Sequence, residues 1–459
     1  MVQISIIAIF SIVIILLTLE LYNKAILTLA GALISYLILA ITEKISFRYM
    51  ISNFIDFGTL SIFLGIMVLI EIIKSSGFFQ FLAVRVVKLT RGHVDILFLV
   101  IGIVTYITGL FLLNVASILM LISVTLIITS ALRMHPKFFI FMQIIVIDMG
   151  AMALVLASIP NILISSIVGI PIIFFIFYIL PISLFITSFI LWFMPFLFRK
   201  IYGTIPEPDP IRKEALLDIN EYSLIMNQRS LIASALILLY ILIGFALVRE
   251  PAIIAVSAAL ILIIVTNINI KEIISAIDWE TFFFLVGLFI IVKSLEHVGV
   301  ISIISESLYN FVKGNVLLGA IIVLWVAGTL SGFLDNIALT LVFIPILMDI
   351  VPLFGPYGSL MWIALILGTN IGGDLTPFGS PTSLVTFGFM KEQGFYIEFK
   401  EFFKISLIIG FANLAFATSY LVYIYYLAPA IASISYLIFG IIILDLIGMK
   451  SYKKDTGLY

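Results

Sequence analysis

Set against itself at one fixed offset, this chain repeats without a gap. The segment IDFGTLSIFLG that begins at Ile55 matches IDWETFFFLVG that begins at Ile277, an offset of 222 residues. At that offset Gly65 meets Gly287, Gly77 meets Gly299, Asn114 meets Asn336, Gly150 meets Gly372 and Ser158 meets Ser380. Chance likeness between apolar segments does not hold one register through glycines and polar breaks. The chain is therefore a two-fold repeat, although the opening two helices of each half do not keep the register.

The repeated unit is apolar. Of 459 residues 63% are hydrophobic and 11% are charged, mean hydropathy is +1.31, and several apolar runs approach twenty residues. Such runs match the length of helix that crosses a bilayer, so the fold class is an all-α polytopic membrane protein. Runs at 3–20, 26–42, 57–76, 138–168 and 171–198 read as helices of the first half, with a helical hairpin over 94–132. Their counterparts are 230–248, 251–267, 279–297, 359–390 and 405–426, with a hairpin over 316–350. A hairpin returns to the side it left, so each half crosses an odd number of times and the two repeats have inverted topology. The divisions that follow are a first repeat at 1–198, a polar linker at 199–229 containing PEPDPIRKE, a second repeat at 230–427, and an extra helix and tail at 428–459. The run at 3–19 has no basic residue before Lys24 and no small-residue cleavage pattern, so it reads as a retained helix and not a signal peptide.

Basic residues orient this frame. Of the 24 lysines and arginines, only Lys44, Arg48, Arg249 and Lys313 fall opposite the linker, while Lys24, Lys137, Arg199, Lys271, Lys400 and most others share its side. That asymmetry puts the linker and C-terminus in the cytoplasm and the N-terminus outside, for a multi-pass protein of the plasma membrane. Lys74 and Lys293 each stand three residues from an acid, Glu71 and Glu296, and read as ion pairs that snorkel.

Composition also excludes chemistries. With no cysteine there are no disulfides, thiolate metal sites or cysteine nucleophiles, and His93, His135 and His297 are too scattered for a metal cluster. No catalytic pair or metal triad is apparent, so neither an enzyme nor a cofactor is expected. No GxxxxGK[ST] motif is present, which leaves ATP drive to a separate subunit. A net charge of −1 gives no basis for a nucleic-acid partner; the expected partners are the lipid bilayer and a small ion.

Two kinds of polar break interrupt each half. Leu113-Asn114 and Asp335-Asn336 stand at the hairpin turns, and Asp148 to Asn161 (DMGAMALVLASIPN) and Asn370 to Ser383 (NIGGDLTPFGSPTS) lie within the following helices. Glycine permits unwinding and proline removes a donor, and the freed carbonyls then need a partner, which a bound cation or an anion at a half-helix N-terminus supplies. Thr340, Thr376, Ser380, Thr382 and Ser383 are suited to complete an oxygen shell for a small cation or to donate to an anion. Asp56 and Asp278, at first residues of helices, read as caps. Asp335, Asp374 and Asp148 are expected near the midplane and are the candidates for cation ligation or proton binding. Gly65, Gly287, Gly77 and Gly299 read as close helix contacts. The halves are unequal: Leu113 stands at the place of Asp335, and GAMALVLAS stands where the second half has GGDLTPFGS. The site is therefore expected to be dominated by the second half, with Asn114, Asp148, Ser158 and Asn161 contributing.

At these residues the chain resembles the ion transporter superfamily, in the branch of arsenite permeases, NhaD-type sodium/proton antiporters and the melanosomal P protein, which has a citrate transporter-like domain. FLDNIALTLVFIP resembles the hairpin motif of that branch, and GTNIGGDLTPFGSPTSLVTFGFMKEQG with the following FKEFFK resembles its unwound-helix motif and downstream amphipathic turn. The resemblance covers essentially the whole chain. It implies a scaffold and a mobile transport part that moves by an elevator mechanism, with a homodimer among the assemblies it allows. By the motif match, Asp335, Asn336, Asn370, Gly372, Gly373, Asp374, Thr376, Gly379, Ser380 and Thr382 would line the ion and substrate site, Ser383 standing beside them, with Na+ at Asp335, Asn336 and Asp374. The expected function is secondary active transport of a small anion or oxyanion, arsenite-like or carboxylate-like, coupled to H+ or Na+. The nearest alternative is a Na+/H+ antiporter, with a channel and an intramembrane enzyme further off.

Overall fold

A computed structural model of the chain describes residues 2–19, 21–75, 81, 85, 88, 90, 93–203, 228–248, 250–377, 379–427 and 434–444. Among them every regular element is a helix. In the first half these are α1 Val2–Thr18, α2 Lys24–Thr42, α3 Phe47–Phe54, α4 Phe57–Ser75, α5 Val94–Phe111, α6 Asn114–Ala131, α7 Lys137–Ala153, α8 Ile159–Val168 and α9 Ile172–Tyr202. The second half holds α10 Gln228–Leu247, α11 Pro251–Thr266, α12 Ile270–Ala276, α13 Trp279–His297, α14 Val300–Val312, α15 Val316–Ser331, α16 Asn336–Ile350, α17 Ser359–Gly373, α18 Pro381–Glu392 and α19 Phe399–Tyr426, followed by α20 Ile434–Leu444. Six of the described helices are long and apolar enough to cross a membrane, or up to eight if each bent pair is one span. The fold is that of a multi-pass membrane protein built of two inverted repeats with hairpins (α5–α6, α15–α16) and discontinuous helices (α7–α8, α17–α18).

Packing follows the repeat crosswise. Helix α4 packs on α11, and its counterpart α13 packs on α2; α6 meets α18, and its counterpart α16 meets α8. Within each half, α5 packs on α7 as α15 packs on α17. Glycines make these approaches close. A Cβ on Gly150 would stand 2.4 Å from the carbonyl oxygen of Tyr106, and one on Gly372 would stand 2.2 Å from that of Gly328. Gly65 and Gly287 are likewise in backbone contact, with Ala255 and Thr28.

Gly299 departs from the expected close contact. Its φ of +80° is left-handed, and it turns the chain where α14 leaves α13 at a 69° bend. Gly77 lies outside the described residues, as do 204–227 of the linker and most of the tail. The caps behave as expected: Asp56 accepts from the backbone N–H of Gly58 and Thr59, and Asp278 accepts from that of Thr281 at 2.9 Å. Lys293 and Glu296 pair at 2.7 Å.

Candidate functional site

The broken helices bring the two repeats together. Helix α7 stops at Ala153 and α8 starts at Ile159; α17 stops at Gly373 and α18 starts at Pro381. Ser158 and Ser380 are the N-caps of α8 and α18. Ser380 Oγ donates to Asp148 Oδ2 at 2.9 Å, and Ser158 Oγ donates to Asn370 Oδ1 at 2.7 Å. These serines hold equivalent places in the repeat, and so do Asp148 and Asn370. One interaction is thus made twice, each time from one repeat to the other.

Asp148 gathers further donors. Thr382 Oγ1 reaches its Oδ1 at 3.1 Å, and Asn114 Nδ2 reaches the same oxygen at 2.5 Å. Asp374 has a different environment. It is 1% exposed, neither carboxyl oxygen accepts from a described donor, and the group within hydrogen-bonding reach of it is the carboxyl of Asp148. Two carboxylates in contact within an apolar interior repel unless a proton or a small cation lies between them.

Asn161 secures the first break. Its Nδ2 donates to the carbonyls of Ala151, Met152 and Leu154 at 3.3, 2.9 and 2.8 Å, and its Oδ1 accepts from Asn370 Nδ2 at 3.2 Å. Ser383, its counterpart in the second repeat, is fully buried, and its Oγ has no hydrogen-bond partner among the described residues.

The other residues named from the sequence take several roles. Gly372 and Gly379 allow backbone approach, Gly379 to the carbonyls of Gly373 and Ser331. Gly373 lies beside the Asn336 amide. Thr376 Oγ1 bonds the carbonyl of Gly332 and so ties the break to the hairpin tip, whereas Thr340 bonds back to Asn336 within its own helix. Asp335 N-caps α16, accepting from the N–H of Ile337 and Ala338, and its Oδ2 meets Lys24 Nζ at 3.4 Å. The described partner of Asp335 is thus Lys24, and that of Asp374 is Asp148. Sequence reasoning used Lys24 only in the charge balance across the membrane. Its place opposite a hairpin 311 residues away had no local signal.

A cavity of about 600 Å³ adjoins this cluster. Asn114, Ser380 and Thr382, the donors to Asp148, line it together with Ser158, Asn336, Lys24 and Asp335. The acid pair therefore lies one side chain behind the cavity wall. The N-terminal residues of α6, α8, α16 and α18 all open on this space.

Comparison with known proteins places this architecture. A family model described as "Citrate transporter" matches residues 12–368. The chain belongs to the citrate transporter family. An uncharacterised transporter of Mycobacterium tuberculosis is 26% identical over 406 residues, spanning 87% of this chain and 93% of the relative. The human P protein is 23% identical over 469 residues, covering 84% of this chain and 56% of the P protein. Among solved structures, the YdaH transporter of Alcanivorax borkumensis superposes with a TM-score of 0.61 at 13% identity, over 89% of this chain and all of that one. That likeness is one of fold. For this member of the citrate transporter family, the relatives' names make membrane transport the function class.

Proposed function

We propose that this protein is a secondary active transporter that moves a small anion or oxyanion, carboxylate-like or arsenite-like, in exchange or symport with H+ or Na+. The observation that carries the reading is the buried contact between Asp148 and Asp374, which joins the two repeats one side chain from the cavity. A cation entering that contact changes the charge of the wall on which the substrate rests, and this links the two occupancies. Four helix N-termini converge on the cavity, and their backbone dipoles favour negative charge there. The sodium site expected from sequence is Asp335, Asn336 and Asp374; in the present reading the ion lies between Asp374 and Asp148, with Asp335 and Asn336 at the cavity.

The packing supports an elevator-like movement. The hairpins and broken helices contact one another extensively, and α2, α4, α11 and α13 pair crosswise as a fixed scaffold would, with α4 touching α8 and α13 touching α16 at the boundary. By the distribution of basic residues, the face bearing the linker is cytoplasmic. A Na+/H+ antiporter is the second reading, favoured by the acid pair and by the carboxylates of Glu71, Asp278, Glu280 and Asp335 in the cavity lining. Flux into proteoliposomes under imposed Na+ or H+ gradients decides between them. Gradient-driven movement of an organic or oxyanion solute fits the first reading; cation exchange without a solute fits the second; leakage that ignores gradients overturns both.

A further inference from the structure

Resting on the transporter reading, the cavity lining narrows the substrate class. Lys24 is the one basic side chain among the described lining residues, and it shares the lining with four acidic residues, Glu71, Asp278, Glu280 and Asp335, the last of which it meets. Much of the remaining wall is apolar, formed by side chains such as Phe63, Met67, Ile70, Met120, Phe284 and Phe389. Lys24 comes from the first residue of α2 and meets Asp335 across the boundary between α2 and the second hairpin. At 3.4 Å the contact is long for a charge-assisted hydrogen bond, which is ordinarily about 2.7–2.9 Å. Asp335 does not depend on it. Its Oδ1 already accepts from the N–H of Ile337 at 2.9 Å and Ala338 at 3.3 Å, so releasing Lys24 leaves the carboxylate held by its own helix.

We propose that Lys24 is the charge partner of the substrate, held by Asp335 until an anion draws it away, and that the cavity selects a singly charged organic anion with an apolar body over a tricarboxylate. One lysine and the adjoining helix N-termini make one positive locus. A second or third carboxylate on the ligand would lie against Glu71, Asp278 or Glu280 or be buried unpaired against aromatic and aliphatic wall, and both arrangements are costly. An alkyl or aryl body gains from that same wall. This assigns specificity to a residue of the first repeat's opening helices, outside the internal register.

The test is a titration of the purified full chain in nanodiscs with hexanoate, benzoate, citrate and arsenite, read by calorimetry and by competition in the flux assay. Hexanoate or benzoate is expected to bind about tenfold or more tighter than citrate. Lys24→Gln should weaken monocarboxylate binding about tenfold and Lys24→Arg should restore most of it. Asp335→Asn should tighten binding, a change that a merely structural ion pair would not produce. Citrate or arsenite binding more tightly than the monocarboxylates, or unchanged affinity in a folded Lys24→Gln protein, overturns the inference. The transporter reading fails separately: Lys24-dependent binding of hexanoate without gradient-driven movement keeps this site and counts against coupled transport, whereas gradient-driven flux of citrate alone does the reverse.

Discussion

Asn161 in the first repeat and Ser383 in the second hold the same position, 222 residues apart, and meet the adjacent helix break in different ways. The Asn161 amide nitrogen spans the freed carbonyls of Ala151, Met152 and Leu154 and so supplies, from within the chain, the donor that unwound backbone needs. Ser383 is too short to do this. Beside it stands a break carrying Asp374, where the first repeat has Met152, and neither the serine hydroxyl nor that carboxyl has a described donor. The first break is closed by its own side chain; the second retains a demand for positive charge. An inverted duplication can thus keep its symmetric frame, with Ser158 on Asn370 and Ser380 on Asp148, while its two breaks satisfy their backbone differently.

The largest effect expected from breaking that difference is at the acids. Asp374→Asn should lower gradient-driven flux by about a hundredfold or more while the protein still elutes as folded material, because on the proposed mechanism the amide removes the charge that would retain the cation. Wild-type flux in that variant would remove Asp374 from the site. Next come the close approaches that hold both breaks in place. Gly372→Ala puts a Cβ 2.2 Å from the Gly328 carbonyl oxygen, and Gly150→Ala puts one 2.4 Å from that of Tyr106, so each should destabilise the protein by about 1–3 kcal/mol, seen as a lower thermal midpoint. Equal losses in the two variants would support the symmetric frame.

Asn161→Ser converts the first break to the form of the second. It leaves three buried carbonyls without their amide donor, and a cost of roughly 1–3 kcal/mol is expected, with faster amide exchange around 151–156. An unchanged midpoint would show that the amide is not what closes the break. The smallest effect belongs to the pair Lys293–Glu296, whose side chains are 40% and 39% exposed. Lys293→Ala should cost about 0.5 kcal/mol or less and leave flux unaltered.

Much of the fold was legible in sequence because polar residues in apolar runs are costly enough to mark every hairpin and break. The short helices α3, α12 and α14 escaped a search by run length, since each is shorter than a span, and α3 and α14 are set off by bends of 60° and 69° against the helix next to them in sequence. Gly299 was misread for the same reason: a glycine at a left-handed turn and one at a helix contact look alike without the backbone. In the site, the residue types clustered in 370–383 and the candidacy of Asp148, Asp335 and Asp374 could be read from motif and composition. The pairing of Asp148 with Asp374 could not, because the two acids occupy inequivalent positions of the repeat and meet only through the crosswise fold. Lys24 stayed hidden because a lysine near a helix end reads first as part of the charge asymmetry across the membrane.

The central claim, that Asp148 and Asp374 hold one cation as a unit, is tested most directly by a double-mutant cycle on gradient-driven flux, comparing Asp148→Asn, Asp374→Asn and the double variant in proteoliposomes. Groups acting as a unit should give a double variant no worse than either single one, each with coupling abolished. Losses that multiply, or a single variant that keeps full coupling, would contradict the account.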